Sequence, residues 1–155
     1  MGYYIRAFCK SASIPTLVEV EASLRRTLPF VRFDTDDPRD SARWRNAEFF
    51  YDEKKSPIVV EINVDEGPES LLQAERQEFI DELAELEGSD ATARVAEHLR
   101  GAKYIVSCRL LSDIDEGGYE ANGQLLDYFV ANHDGLIQAD GEGFYEGSEL
   151  TVELK

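Results

Sequence analysis

The chain of 155 residues is poor in basic residues, in cysteine and in long apolar runs. Its five lysines, at 10, 54, 55, 103 and 155, stand against 32 acids. A chain this acidic repels nucleic-acid backbones and anionic lipids, so neither is an expected partner. Two cysteines do not make a disulfide framework. Cys9 and Cys108 each sit inside an apolar run, where a reduced, buried thiol is the usual case. No stretch approaches the roughly 20 apolar residues of a membrane span. The opening residues, Met1-Gly2-Tyr3-Tyr4-Ile5-Arg6, offer no basic start, no apolar run and no small-residue cleavage site. A cytoplasmic location is therefore expected.

Nucleophile and cofactor motifs are also missing. There is no Gly-x-Ser-x-Gly elbow. His98 and His133 fall in or at the end of helical patterns, out of metal spacing with cysteine or each other. The glycines at 141, 143 and 147 tempt a phosphate-loop reading, but the Lys-Ser/Thr pair is absent and two glutamates intrude. Residues 113–118 begin like a calcium loop, with Asp113 and Asp115 at positions one and three. Gln124 then stands where a bidentate Glu is required. These two acids are the weak metal candidates, and no cofactor is expected.

What is present is a globular composition. Hydrophobic residues make up 43% of the chain, with 8 Phe, 7 Tyr and 1 Trp, enough for one domain with a real core. The net charge is −16 and is unevenly placed. Residues 1–64 carry ten acids and ten bases. Residues 65–90 carry ten acids and one base, and 112–155 carry eleven acids and one base. The surplus lies after Val64, which attracts basic proteins or cations and equally suits solubility or salt adaptation.

Residues 102–111 (AKYIVSCRLL) read as a buried strand. They echo residues 2–10, and in both places a helical pattern and further strands follow. The expected elements are strands at 2–10, 30–34, 47–51, 58–64, 102–111, 136–139 and 150–154. Helices are expected at 16–28, 67–87, 91–100 and 119–132. Residues 141–147 read as a glycine-shaped loop plugged by Phe144 and Tyr145. This order predicts an α+β fold, a mainly antiparallel sheet with helices on one face. A ferredoxin-like βαββαβ unit would be extended by a second βαββ-type half. The halves, 1–66 and 102–155, are joined by a helical segment, 67–101, within one domain. Laying Tyr4 on Tyr104 puts the two cysteines on opposite strand faces.

Glu75, Glu78, Glu82 and Glu85 recur at spacings of three and four, so a carboxylate stripe is expected along the 67–87 helix. Trp44, flanked by Arg43 and Arg45 in a charged loop, either anchors a partner or folds back onto the core edge. The leading functional expectation is a non-enzymatic interaction protein. It uses these residues and the acidic surface to bind a basic protein partner, immunity-like or regulatory. In general look the chain resembles small acidic α+β proteins of bacterial toxin–immunity systems, an analogy of architecture without a shared motif. The alternative is a small-ligand domain with a pocket between the halves, lined by Tyr4, Tyr104, Phe144 and Tyr145. An enzyme ranks third.

Overall fold

The computed structural model describes residues 3–154. Gly2, with which the first expected strand begins, lies outside them. The elements in order are β1 (Tyr3–Cys9), α1 (Leu17–Leu24), β2 (Arg32–Asp34), β3 (Asn46–Phe50), β4 (Ile58–Val64), α2 (Leu71–Ala84) and α3 (Asp90–Gly101). They continue with β5 (Tyr104–Leu110), α4 (Glu116–His133), β6 (Gly135–Ala139), β7 (Gly143–Glu146) and β8 (Glu149–Glu153). All eight strands form one sheet in the order β2-β3-β4-β5-β1-β6-β7-β8, and every neighbouring pair is antiparallel. No helix among the described residues is long and apolar enough to cross a membrane.

The fold is α+β, but its helices lie on both faces of the sheet rather than one. Alternation along β1 and β5 shows why. Ala7, Cys9, Tyr104, Val106 and Cys108 face a core shared with α1 and α4. Phe8 and Ile105, one residue out of phase, face a second core shared with α2 and α3. Strands apolar on both faces need a covering layer on each. The layers are staggered. α1 and α4 cover the sheet from β2 to β6, whereas α2 and α3 cover it from β4 to β8.

Three further expectations change. The strand order does not make a ferredoxin-like βαββαβ unit, because β5 lies between β1 and the strands β2 to β4 and pairs with both β1 and β4. Instead β5-α4-β6 forms a split βαβ around β1. Residues 143–146 form β7, paired on both sides, where a glycine loop was expected. Gly143 has φ +139°, and a Cβ there would lie 2.0 Å from the Val152 carbonyl oxygen, so glycine permits this close pairing. The chain after β5 is therefore βαβββ rather than βαββ. Lastly, the antiparallel register pairs Ile5 with Cys108 and Cys9 with Tyr104, which puts both cysteines on the same sheet face.

Caps fix the helix starts. Thr16 Oγ1 accepts from Glu19 N at 3.1 Å, as the capping pattern suggests. Ser70 rather than Gly67-Pro68 starts α2. Ser89 and Thr92 cap α3 reciprocally. Asp115 accepts from Gly118 N at 3.1 Å and starts α4 earlier than its apolar stripe implies.

Trp44 is the largest fully buried side chain, with 0% exposure. Its indole N–H donates to the Pro15 carbonyl at 2.8 Å, pinning the charged 35–45 loop to the start of α1. Trp44→Phe should lower stability by about 2 kcal/mol, from lost volume and an orphaned buried carbonyl. Urea unfolding checks this, and an unchanged midpoint would show that the indole is not what holds the loop.

Candidate functional site

One residue row crosses the whole sheet. Asn46, Glu61, Ser107, Arg6, Gln138, Phe144 and Val152 are successive cross-strand partners. The row is polar from Asn46 to Gln138, with Ser107, Arg6 and Gln138 already buried, and apolar at Phe144 and Val152 under α2 and α3. Arg6 stands in the polar part, 9% exposed, in a strand that otherwise reads Tyr, Ile, Ala, Phe and Cys.

A buried guanidinium must be paired. Arg6 Nη1 donates to Gln138 Oε1 at 2.6 Å and to Asp140 Oδ1 at 2.7 Å. Its Nε lies 2.8 Å from Glu75 Oε2, an ion pair whose geometry misses the N–H direction. The guanidinium also sits 4.9 Å from the Tyr4 ring centroid and 5.7 Å from that of Phe79. Arg6 thus joins the sheet to α2 through Glu75.

The two carboxylates respond differently. Burial raises the Glu75 carboxyl above its usual value, Glu78 and Asp140 reinforce the rise, and the Arg6 charge opposes it. Asp140 is also pushed up by burial. Hydrogen bonds from Arg6, Gln138 and the Tyr4 amide together outweigh that push and leave its carboxyl below the usual range. One off-axis ion pair does less for Glu75 than three hydrogen bonds do for Asp140.

Beyond Glu75, α2 turns its other carboxylates outward. Glu78 and Glu85 are exposed and Glu82 is partly so. Burial raises the Glu82 carboxyl, and the negative charges of Glu78, Glu85 and Asp140 add to the rise. At the C-terminal end of α2 a groove of about 410 Å³ is lined by Glu82, Glu85, Leu86, Glu153 and Leu154, bringing β8 beside the helix. Glu78, Glu82, Glu85 and Glu153 take no ion pair and no side-chain hydrogen bond among the described residues.

The expected partner residues therefore divide. Glu78, Glu82 and Glu85 share an outer surface. Glu75 does not, because it lies three residues after Leu72 and four before Phe79, inside the apolar stripe. Trp44 is core. Arg45 folds back onto the Ala42 and Trp44 carbonyls, at 2.9 and 2.8 Å, and only Arg43 stays exposed. The loop is further tied by Asp37, which accepts from the amides of Arg45 and Asn46 and is held below its usual range by them. The four aromatic residues expected around a ligand do not share a pocket. Tyr104 and Phe144 belong to cores on opposite sheet faces. Tyr4 lies under Arg6, and the Tyr145 hydroxyl donates to Glu142.

Asp113 and Asp115 have structural partners. The Asp113 carboxylate accepts from Ser56 N at 2.8 Å, which depresses its pKa and ties the β3–β4 loop to the β5–α4 loop. Asp115 caps α4 and faces Lys55 at 3.8 Å. Among the described residues no group of three or more His, Cys, Asp or Glu is placed to hold a metal ion.

Arg6, Gln138, Asp140 and Glu153 were not among the expected site residues. The signal for Arg6 was a lone charge in an apolar strand. Gln138, Asp140 and Glu153 carried none, since only the sheet register brings them near α2. No protein-family model matches the chain, and no curated protein or solved structure is significantly similar to it.

Arg6→Met leaves the largely buried Glu75 and the half-buried Asp140 without a counter-charge, so it should cost roughly 2 kcal/mol near neutral pH. The loss should shrink as pH falls, because protonation removes the stranded charge. In the native protein the two acids act with opposite signs. The depressed Asp140 contributes stability that is present above its unfolded pKa and lost as pH falls through its lower folded value. The raised Glu75 contributes below its unfolded pKa and loses that contribution as pH rises through its higher folded value. Thermal melts of both proteins across the carboxylate range check this, and a pH-independent difference would contradict it.

Proposed function

We propose that this is a non-enzymatic interaction protein that binds a basic protein partner through the outer surface of α2 and the adjoining end of β8. It acts by charge complementarity and occlusion. The observation that carries the reading is the groove at the end of α2, where Glu82, Glu85 and Glu153 line one surface without an ion pair among the described residues; burial and then the charges of Glu78, Glu85 and Asp140 raise the Glu82 carboxyl there. Among the described residues the only cation bound to this group is Arg6, and it is buried and committed to Glu75 and Asp140. Lysine or arginine side chains from a partner would relieve that repulsion. Complementary charge of this kind chiefly speeds association and makes it salt-sensitive.

The order β-α-β-β-β occurs both in 3–64 and in 104–153. It supports reading the chain as two similar halves, with the acidic surface on the helical segment between them. Two free, buried cysteines suit a reducing compartment such as the cytoplasm.

The test is capture from the native host's lysate on the immobilised protein, beside the Glu78→Gln/Glu82→Gln/Glu85→Gln variant. A basic protein should be retained at low salt, released at high salt, and retained several-fold less by the variant. Equal retention by both would show that these carboxylates are only a solvated helix face.

A further inference from the structure

Strand β8 is the last of the sheet. It pairs with β7 alone, so its outer row of backbone N–H and C=O groups has no backbone partner among the described residues. The opposite edge strand, β2, has three residues, too few to template a firm pairing. The acidic groove runs alongside the end of β8. Leu86 in its lining is 37% exposed, and Leu150, on the other face of β8, is 39% exposed.

From this juxtaposition we propose that the partner contributes a basic, extended segment that adds to β8 as a ninth strand. The proposal rests on the acidic-surface reading and names how that surface is used. The segment's backbone pairs with 149–153. On the α2 side its lysine or arginine side chains meet Glu82 and Glu85, and on the other face its alternate side chains cover Leu150 beside Glu153. Main-chain hydrogen bonds supply the affinity in such an addition, and alternate side chains supply the specificity. A five-residue strand offers about 17 Å of edge.

Charge selects this occupant. A second copy of the chain would bring its own Glu149 and Glu153 against the same edge, and like charges facing each other across strands destabilise the pair. The glutamates that guard the edge against self-pairing are the groups a basic strand neutralises.

The probe is a labelled peptide of about seven residues alternating arginine and valine. Two N-methylated forms accompany it, each blocked at one of the two alternating sets of amides. Binding is read by fluorescence anisotropy and by amide shifts of the full chain. The plain peptide should bind and shift resonances at 149–153 and 82–86. One methylated form should bind at least about tenfold more weakly, because its edge hydrogen bonds are gone. Glu82→Gln/Glu85→Gln/Glu153→Gln should weaken the plain peptide about tenfold at low salt. If both methylated forms bind as tightly as the plain one while the variant still loses binding, strand addition is overturned and the acidic surface stands. If neither methylation nor the variant matters, both fall. Absence of peptide binding overturns strand addition, with the lysate capture deciding the surface separately. Concentration-dependent shifts confined to 149–153 in the unliganded protein would also overturn it, since a second copy would then hold the edge.

Discussion

The central antiparallel pair, β1 against β5, is the constraint on which the rest of the structure depends. Its seven residue pairs, from Tyr3–Leu110 to Cys9–Tyr104, set the middle of an eight-stranded sheet. β5 is buried at six of its seven residues and β1 at its last four, and apart from Arg6 the paired cores of both strands are apolar on both faces. One helical layer would leave Phe8 and Ile105, or else Ala7, Val106 and Cys108, in water. At about 1.5–3 kcal/mol per large apolar side chain, either face is too costly to expose. The two layers follow, and the hairpins on each side need cover on only one face.

Within this frame Arg6 is the exception that gives the sheet its polarity. It lies on the α2 side of β1, between Tyr4 and Phe8. Its charge is held by Asp140 from the sheet and Glu75 from the helix, so a single guanidinium fixes where α2 rests. Arg76 performs a comparable task one residue on. Its Nη1 donates to the carbonyls of Leu99, Arg100 and Ala102, which satisfies the C-terminal end of α3. Two consecutive charged residues of α2 thus bind inward, while Glu78, Glu82 and Glu85 remain outside.

Much of this was legible in the sequence. The clean alternation of Ile58, Val60 and Ile62 gave β4, and the Thr16–Glu19 capping pattern gave the start of α1. The continuous apolar run of 104–110 read as a buried strand, although helices were expected on one face only, and a strand apolar on both faces needs them on both. Pairing over more than a hundred residues carried no local signal, so the strand order and the shared face of the two cysteines were out of reach. Trp44 illustrates a different limit. An indole between two arginines has the composition of a surface anchor, and only its partner, the Pro15 carbonyl, makes it core. Spacing alone grouped Glu75 with its outward neighbours, although its offset from Leu72 and Phe79 placed it in the buried stripe.

The acids of the two charge regions do different physical work. In the balanced N-terminal region Glu21 receives the Phe33 amide and Arg39, and Asp37 receives two backbone amides. These carboxylates replace regular secondary structure in tying down a long loop. After Val64 some acids serve similarly, as Asp113, Asp115 and Asp140 do. Glu78, Glu82 and Glu85 satisfy no donor among the described residues, and burial, with the charges of Glu78, Glu85 and Asp140 adding to it, raises the Glu82 carboxyl. Solubility requires dispersed charge. A groove lined by Glu82, Glu85 and Glu153 beside an open strand edge exceeds that requirement, and a basic strand is the ligand whose backbone and side chains match both features at once.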